Sequence, residues 1–191
     1  MKINKGDAGY ISSKKKRAIL KTVLEFGIVI ALLVLGYTQT GNRMNVLTIV
    51  AVLGCLPASK ALVELIMIIP HHSILKERSD DIKEKTELLT VAYDLVLTSE
   101  NEIMPIDVLV ISDNTICGYS SAKKIDLQFT TKHIKHMLGM NQFNHVTVKL
   151  FDNYTAFLTR AEGMQNIAAV EKADTKKKEE RIKQVILNVS L

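Results

Sequence analysis

Residues 18–37 read AILKTVLEFGIVIALLVLGY and residues 44–69 read MNVLTIVAVLGCLPASKALVELIMII, and the fold of this chain turns on how those two runs are taken. Twenty residues of α-helix reach about 30 Å, the hydrocarbon thickness of a bilayer, and the second run would reach about 39 Å. Only the short polar stretch Thr38 to Arg43 separates them, so two helices here must fold back as an antiparallel hairpin. Lipid offers no partner for backbone N–H and C=O groups, which leaves the helix as the available spanning structure. A pair of core helices in a soluble protein is the competing reading. It fits poorly with two runs this long that are adjacent and follow a lysine cluster.

Outward from the hairpin, the charge is uneven. The chain is 191 residues with a net charge of +5 and 47% hydrophobic residues. Residues 1–17 hold Lys2, Lys5, Lys14, Lys15, Lys16 and Arg17 against Asp7, residues 18–70 are close to neutral, and residues 71–191 carry slightly more acid than base. The basic character therefore belongs to an N-terminal tail. A nucleic-acid binder would spread cations over its folded part, so no nucleic-acid partner is expected. Lys14 to Arg17 abut the first span, Lys76 and Arg78 follow the second, and the turn has Arg43 alone. The positive-inside tendency then puts both termini in the cytoplasm. Cleavage of the first span as a signal peptide has only the weak site VLGYTQTG, and the second span would still deliver residues 71–191 to the cytosol.

The expected organisation is a basic cytosolic tail (1–17), a two-helix membrane segment (18–70, spans 18–37 and 44–69) and a cytosolic α/β domain (71–191). Lys14, Lys15, Lys16 and Arg17 are candidate contacts for anionic headgroups, worth about 1 kcal/mol each near the surface. Inside the spans, Glu25 lies about 10 Å deep, and Glu64 and Lys60 lie about 9 Å and 15 Å from Pro70. Buried charges in lipid usually face a partner or a wet cavity. The trio Glu25, Lys60 and Glu64 thus reads either as a polar inter-helix site, for instance an oligomer contact, or as side chains snorkelling to the headgroups. Pro57 lacks an amide hydrogen and should bend the second span, and Gly54, Ala58, Ser59 and Ala61 would let another helix approach closely.

Beyond Pro70 the pattern changes to short alternating runs. A solvated helix is expected over 74–89, strands over 91–97, 104–111 and 115–119, and a helix capped by Asp126 from 127 to 138 and stopped by Gly139. A fourth strand follows over 145–151, then a helix capped by Asp152 or Asn153 ending near Gly163. The last helix, capped by Asp174, carries Ile182, Val185, Ile186 and Val189 as its apolar stripe. The order α-β-β-β-α-β-α-α resembles the core of restriction-endonuclease-like folds. That resemblance implies a metal-binding acid at Asp107 on the second strand, then an acid, a spacer and a lysine on the third. The third strand reads TICGY instead, and one carboxylate is little to hold a magnesium ion.

Other constellations are weaker. His133 and His136 share a helix face and His145 follows, but Lys132 and Lys135 interleave with them, the pattern of a solvated face rather than of a zinc site. There is no GxSxG, P-loop, GxGxxG or HExxH. The two cysteines, Cys55 and Cys117, form no CxxC. No metal or cofactor is expected.

The segments KGDAGY (5–10), VLGCLPASK (52–60), RAEGM (160–164) and ILNVSL (186–191) together resemble small two-span membrane proteins of clostridial-type Gram-positive bacteria. The resemblance covers nearly the whole chain and implies a bacterial plasma-membrane location, with no activity attached. Some members are labelled O-linked N-acetylglucosamine transferase-like, an activity that calls for tetratricopeptide repeats and a two-domain sugar-nucleotide fold, and the residues here supply neither. The reading is a two-span anchor that presents a cytosolic α/β interaction or scaffold domain to a protein partner or a second copy. The rival is a membrane-anchored enzyme, degenerate nuclease-like or glycosyltransferase-like.

Overall fold

The computed structural model describes residues 3–41, 45–99, 102–171 and 175–191. It forms two compact units, Ile11–His72 and a second that joins Met1–Tyr10 to Ser73–Leu191.

The first unit is a helical pair, α1 (Tyr10–Thr40) and α2 (Val46–Ile68). Asn45 starts α2 by accepting the Thr48 N–H at 2.9 Å, as expected of an N-cap, and the helix is unbroken through Pro57. Both helices are long and apolar enough to cross a membrane, and only 17% of each apolar window is buried. A core helix of a soluble protein would be buried over most of that length. Arg43 and Met44 lie outside the described residues.

Within α2, Leu47, Ala51, Gly54, Ala58, Ala61, Leu65 and Ile68 are buried or half-buried at alternating steps of four and three, with Thr48 and Cys55 half-buried beside them. On α1, Ala18, Thr22, Glu25, Val29, Leu32 and Gly36 repeat the rhythm. That spacing is the seam of a left-handed antiparallel pair. The register is fixed by contact: a methyl on Gly54 would lie 3.3 Å from Val29 Cγ2, and one on Gly36 would lie 3.0 Å from Leu47 Cβ. Small residues on α2 thus let the two backbones approach closely.

The second unit has α3 (Lys76–Lys85), β1 (Thr90–Thr98), β2 (Ile103–Ser112), β3 (Thr115–Tyr119), α4 (Leu127–Met140), β4 (Thr147–Phe151), α5 (Tyr154–Glu171) and α6 (Lys176–Val189). The order matches the sequence reading. The sheet runs β1-β2-β3-β4, antiparallel across the first three strands, with β4 parallel to β3 after the α4 crossover. One core packs α4 and α6 on the sheet through Ile134, Leu138, Ile182 and Ile186; the other packs α3 and α5 through Ile82, Phe157 and Ala161. Gly118 sits where the sheet is tightest, since a Cβ there would lie 2.4 Å from Leu109 Cδ2 and 2.6 Å from Leu150 Cδ2.

Element ends depart from the sequence reading for local reasons. Helix α4 runs through Gly139 to Met140, and Asn141 closes it with its amide on Leu138 and Gly139 carbonyls. Helix α5 passes Gly163, because Ala161 and Met164 keep one face buried beyond it. Asp174, the expected cap of α6, lies outside the described residues, and Thr175 holds that place without a side-chain capping bond. On α6, Leu187 and Glu179 join the buried face while Val189 is largely exposed.

The stretch 1–17, read as one basic tail, is divided. Residues 3–10 belong with the α/β unit: Gly6 C=O accepts the Tyr93 N–H at 2.8 Å and Lys5 donates to the Ser190 carbonyl. Gly6 has φ +91° and lies against Leu187, a conformation and a fit that favour glycine. Lys14 to Arg17 are helical, on α1.

Candidate functional site

The acid singled out by the nuclease-like pattern, Asp107, lies on β2 in a polar cluster between the sheet, α3 and the N-terminal segment. The ladder pairs Tyr93 with Val108 and Leu95 with Ile106, which leaves Asp94 across from Asp107. Both strands change phase here. Ala92 and Leu95, and likewise Ile106 and Leu109, all belong to the α4–α6 core, although strict alternation would send each pair to opposite faces. Asp94 makes the shift with φ +54°, in the left-handed region that Asp tolerates better than most residues.

The two carboxylates are engaged by the backbone. Asp94 Oδ2 accepts the Gly9 N–H at 2.8 Å and Oδ1 accepts the Ile74 N–H at 2.9 Å. Asp107 Oδ2 accepts the Ser121 N–H at 2.7 Å. Burial pushes the Asp107 carboxyl above its ordinary pKa, against the Ser121 hydrogen bonds, and the neighbouring Asp94 charge adds to the rise. Glu87 does not join them; it borders a separate shallow groove with Lys83, Thr90 and Lys183.

On β3, the places that would carry the acid and the lysine are Cys117 and Tyr119, both on the α3–α5 face. Burial pushes the Cys117 thiol up to about 12, so at neutral pH it is an inert thiol rather than a nucleophile or metal ligand. Tyr119 Oη accepts a hydrogen bond from Arg78 Nη1 at 3.0 Å, and the guanidinium lies 4.8 Å from the centre of the Tyr154 ring. Tyr154 in turn donates to Asp81 at 2.8 Å, which holds the Asp81 carboxyl below its usual range, and Lys85 bridges Asp81 and Glu162. The cluster ties α3 to β3 and α5. Among the described residues, no three His, Cys, Asp or Glu side chains stand where they could hold a metal ion, and His133, His136 and His145 form no such group.

In the helical unit one acid pairs with the other helix and one within its own. Glu64 faces Lys14 and Glu25 faces Lys21, each at 3.9 Å, while Lys60 is exposed. Glu25 Oε2 and Thr22 Oγ1 are buried at the seam with no hydrogen-bond partner among the described residues. Lys15 donates to the Ile69 carbonyl at 2.6 Å, whereas Lys16 and Arg17 remain exposed. Pro57 stands one residue before buried Ala58.

Sequence reasoning missed two features. Glu179 is nearly fully buried, and its carboxylate accepts from Thr90 Oγ1 (2.7 Å), Thr175 Oγ1 (2.8 Å) and the Asp113 N–H (3.0 Å). A lysine-rich sequence around it (KKKEER, 176–181) gave no signal of burial. The second is a basic groove between α4 and β4, lined by Lys132, Lys135 and Lys149. Its signal was present as an unbroken absence of Asp and Glu from Leu127 to Phe151.

Compared with known protein families, curated proteins and solved structures, the chain matches none.

Proposed function

We propose that this protein is a two-span membrane protein of the bacterial plasma membrane whose α/β domain is a cytoplasmic interaction module for a protein partner or a second copy. The observation that carries the reading of the domain is the occupancy of the nuclease-like position. Asp94 is held by two backbone amides, Asp107 by a third, and the third strand offers a buried thiol and a tyrosine bonded to arginine where a phosphodiesterase needs an acid and a lysine. Such a restriction-endonuclease-like core is degenerate as a catalyst, because the carboxylate beside Asp107, that of Asp94, is already taken up by the Gly9 and Ile74 amides rather than free to share a cation.

The anchor is supported by the two apolar helices and by a topological point. Gly9, just before α1, and Ile74, six residues after α2, bind the same carboxylate. A chain that leaves and re-enters one folded unit in this way crosses a bilayer an even number of times. The cation distribution favours the cytoplasm for both termini, and exposed Lys16 and Arg17 are placed to meet anionic headgroups.

The test is protease treatment of right-side-out and inverted membrane vesicles, followed with tags at both ends. The proposal expects both tags to be cut only in inverted vesicles. Digestion of the C-terminal tag in right-side-out vesicles, or recovery of the full-length chain in the soluble fraction without detergent, overturns it. For the domain, photo-crosslinking in native membranes should trap a discrete partner or dimer, and Asp107→Asn should leave that product unchanged.

A further inference from the structure

The two edges of the sheet are treated differently. The outer edge of β1 is covered, since Tyr93 N–H donates to Gly6 and Val96 C=O accepts from Leu191. The outer edge of β4 is open. Thr147 N–H donates to Asn114 and Phe151 C=O accepts from Ser120, so the odd-numbered residues of β4 turn their backbone groups toward β3. Alternation then points the N–H and C=O of Val148 and Leu150 away from the sheet, and none of the described residues takes them.

Beside this edge runs the basic groove, about 390 Å³ in volume, which α4 borders with Gln128, Thr131, Lys132 and Lys135 and β4 with Lys149. No acid interrupts the sequence from Leu127 to Phe151, and Asp126 is engaged in capping α4. By contrast, the part of the domain from Ser73 to Tyr119 has ten acids against four Lys and Arg. The open edge of β4 is thus bordered by Lys132, Lys135 and Lys149 within a run that carries no acid.

We propose that this groove takes an extended acidic peptide segment of a partner protein, which adds to β4 as a fifth strand. The inference rests on the reading of the domain as an interaction module and names the chemistry of its partner. Strand addition supplies main-chain hydrogen bonds, and the flanking side chains supply selectivity. Alternate positions of the incoming strand face α4, where acids reach Lys132 and Lys135 beside Val148 and Leu150; the positions between them lie on the opposite face, with Lys149. A second copy fits badly, because its own β4 would bring another Lys149 to a lysine-lined edge; lysine on an edge strand is a common guard against self-pairing. The five residues of β4 span about 17 Å, enough for a matching short segment.

The experiment uses the full-length chain in neutral phosphatidylcholine nanodiscs with a fluorescein-labelled octapeptide of alternating Glu and Val, its Gln–Val counterpart, and vesicles containing phosphatidylglycerol. Anisotropy should show binding of the acidic peptide, at least tenfold weaker for the Gln–Val peptide and for the exposed-surface variant Lys132→Glu with Lys135→Glu. Amide exchange at Val148 and Leu150 should slow only when the acidic peptide is present. Equal binding of both peptides, indifference to the charge reversals, or binding without protection of those amides overturns the proposal. So does binding of phosphatidylglycerol vesicles through these lysines with no peptide binding, which would make the groove a lipid contact. A partner crosslinked in membranes that survives Lys132→Glu with Lys135→Glu overturns this groove and leaves the interaction module standing. Peptide binding with no crosslinked product supports the groove and counts against the module.

Discussion

The carboxylate of Asp94 accepts the Gly9 amide at 2.8 Å across 85 residues of sequence, and its other oxygen takes the Ile74 amide at 2.9 Å. One side chain on β1 therefore holds the segments on either side of the helical pair. Hydrogen bonds to a charged acceptor contribute about 1.5–3 kcal/mol each, so Asp94→Ala should cost the α/β unit about 3 kcal/mol and also strain φ +54°. Asp94→Asn tolerates that φ and keeps one acceptor, and should cost roughly half as much. Amide exchange is the direct readout: Gly9 and Ile74 should both lose protection in the alanine variant. Retained protection at either would show that another contact holds that segment.

Asp107 gives a pH prediction of a definite sign. Its carboxyl is raised by burial in the folded state, so folding favours the protonated form. The stabilisation is fully present below the ordinary Asp range and is lost as pH rises through the raised value. Asp107→Asn removes the titration while keeping an acceptor for Ser121. The variant should match the native chain in acid and melt at a higher temperature than it at neutral pH. A catalytic or cation-binding Asp107 would instead show loss of cation-dependent stabilisation in the variant. Thermal melts from pH 3 to 7, with and without magnesium, distinguish the two.

Much of this fold was legible because period-2 and period-3.6 patterns are local. TICGY gave β3 to the residue, and VAYDLVL and MPIDVLVI located β1 and β2 to within one or two. The seam of the helical pair was half legible: Gly54, Ala58 and Ala61 were seen as small, but the place of Ala51 on the seam and the match of Gly54 to Val29 require the register. The role of Asp94 was not legible, because its partners lie 85 and 20 residues away and its φ breaks the alternation that strand reading relies on. Glu179 was hidden for the opposite reason, since the six residues from Lys176 to Arg181 are all charged and only tertiary contact turns one of them inward. Glu64 found Lys14 rather than the Lys60 four residues away on its own helix, a choice that depends on how α1 is extended beyond its apolar run.

Glu179 should be, with Asp94, among the costly charged residues to remove from the domain. Its carboxylate joins α6 to β1 through Thr90 and to the β2–β3 turn through the Asp113 amide, and truncation leaves a buried hydroxyl and a turn N–H unsatisfied. Such losses cost about 1–3 kcal/mol per group. Glu179→Ala is expected to destabilise by roughly 3 kcal/mol, and Glu179→Gln by less, because its amide oxygen still accepts. In a double-mutant cycle with Thr90→Val, the two losses should fall short of additivity by about 1 kcal/mol. Additive losses would place the effect elsewhere than in this hydrogen bond.

The register of the helical pair makes a separate prediction in the membrane. Val29 and Gly54 meet across the seam, with 3.3 Å between Val29 Cγ2 and the place a Gly54 methyl would take. Cysteines at these two positions, in a Cys55→Ser background, should form an intramolecular disulfide under mild oxidation, since Cβ separations near 4 Å suit the bond. Val29 paired with a cysteine at Leu56, which is exposed, should not. Ala58 lies one turn farther along the same face and is fully buried. Ala58→Leu should force the helices apart and lower the disulfide yield of the first pair several-fold, whereas Leu56→Ala on the exposed face should leave it unchanged. Equal yields from the two cysteine pairs would mean that the helices do not hold this register in lipid.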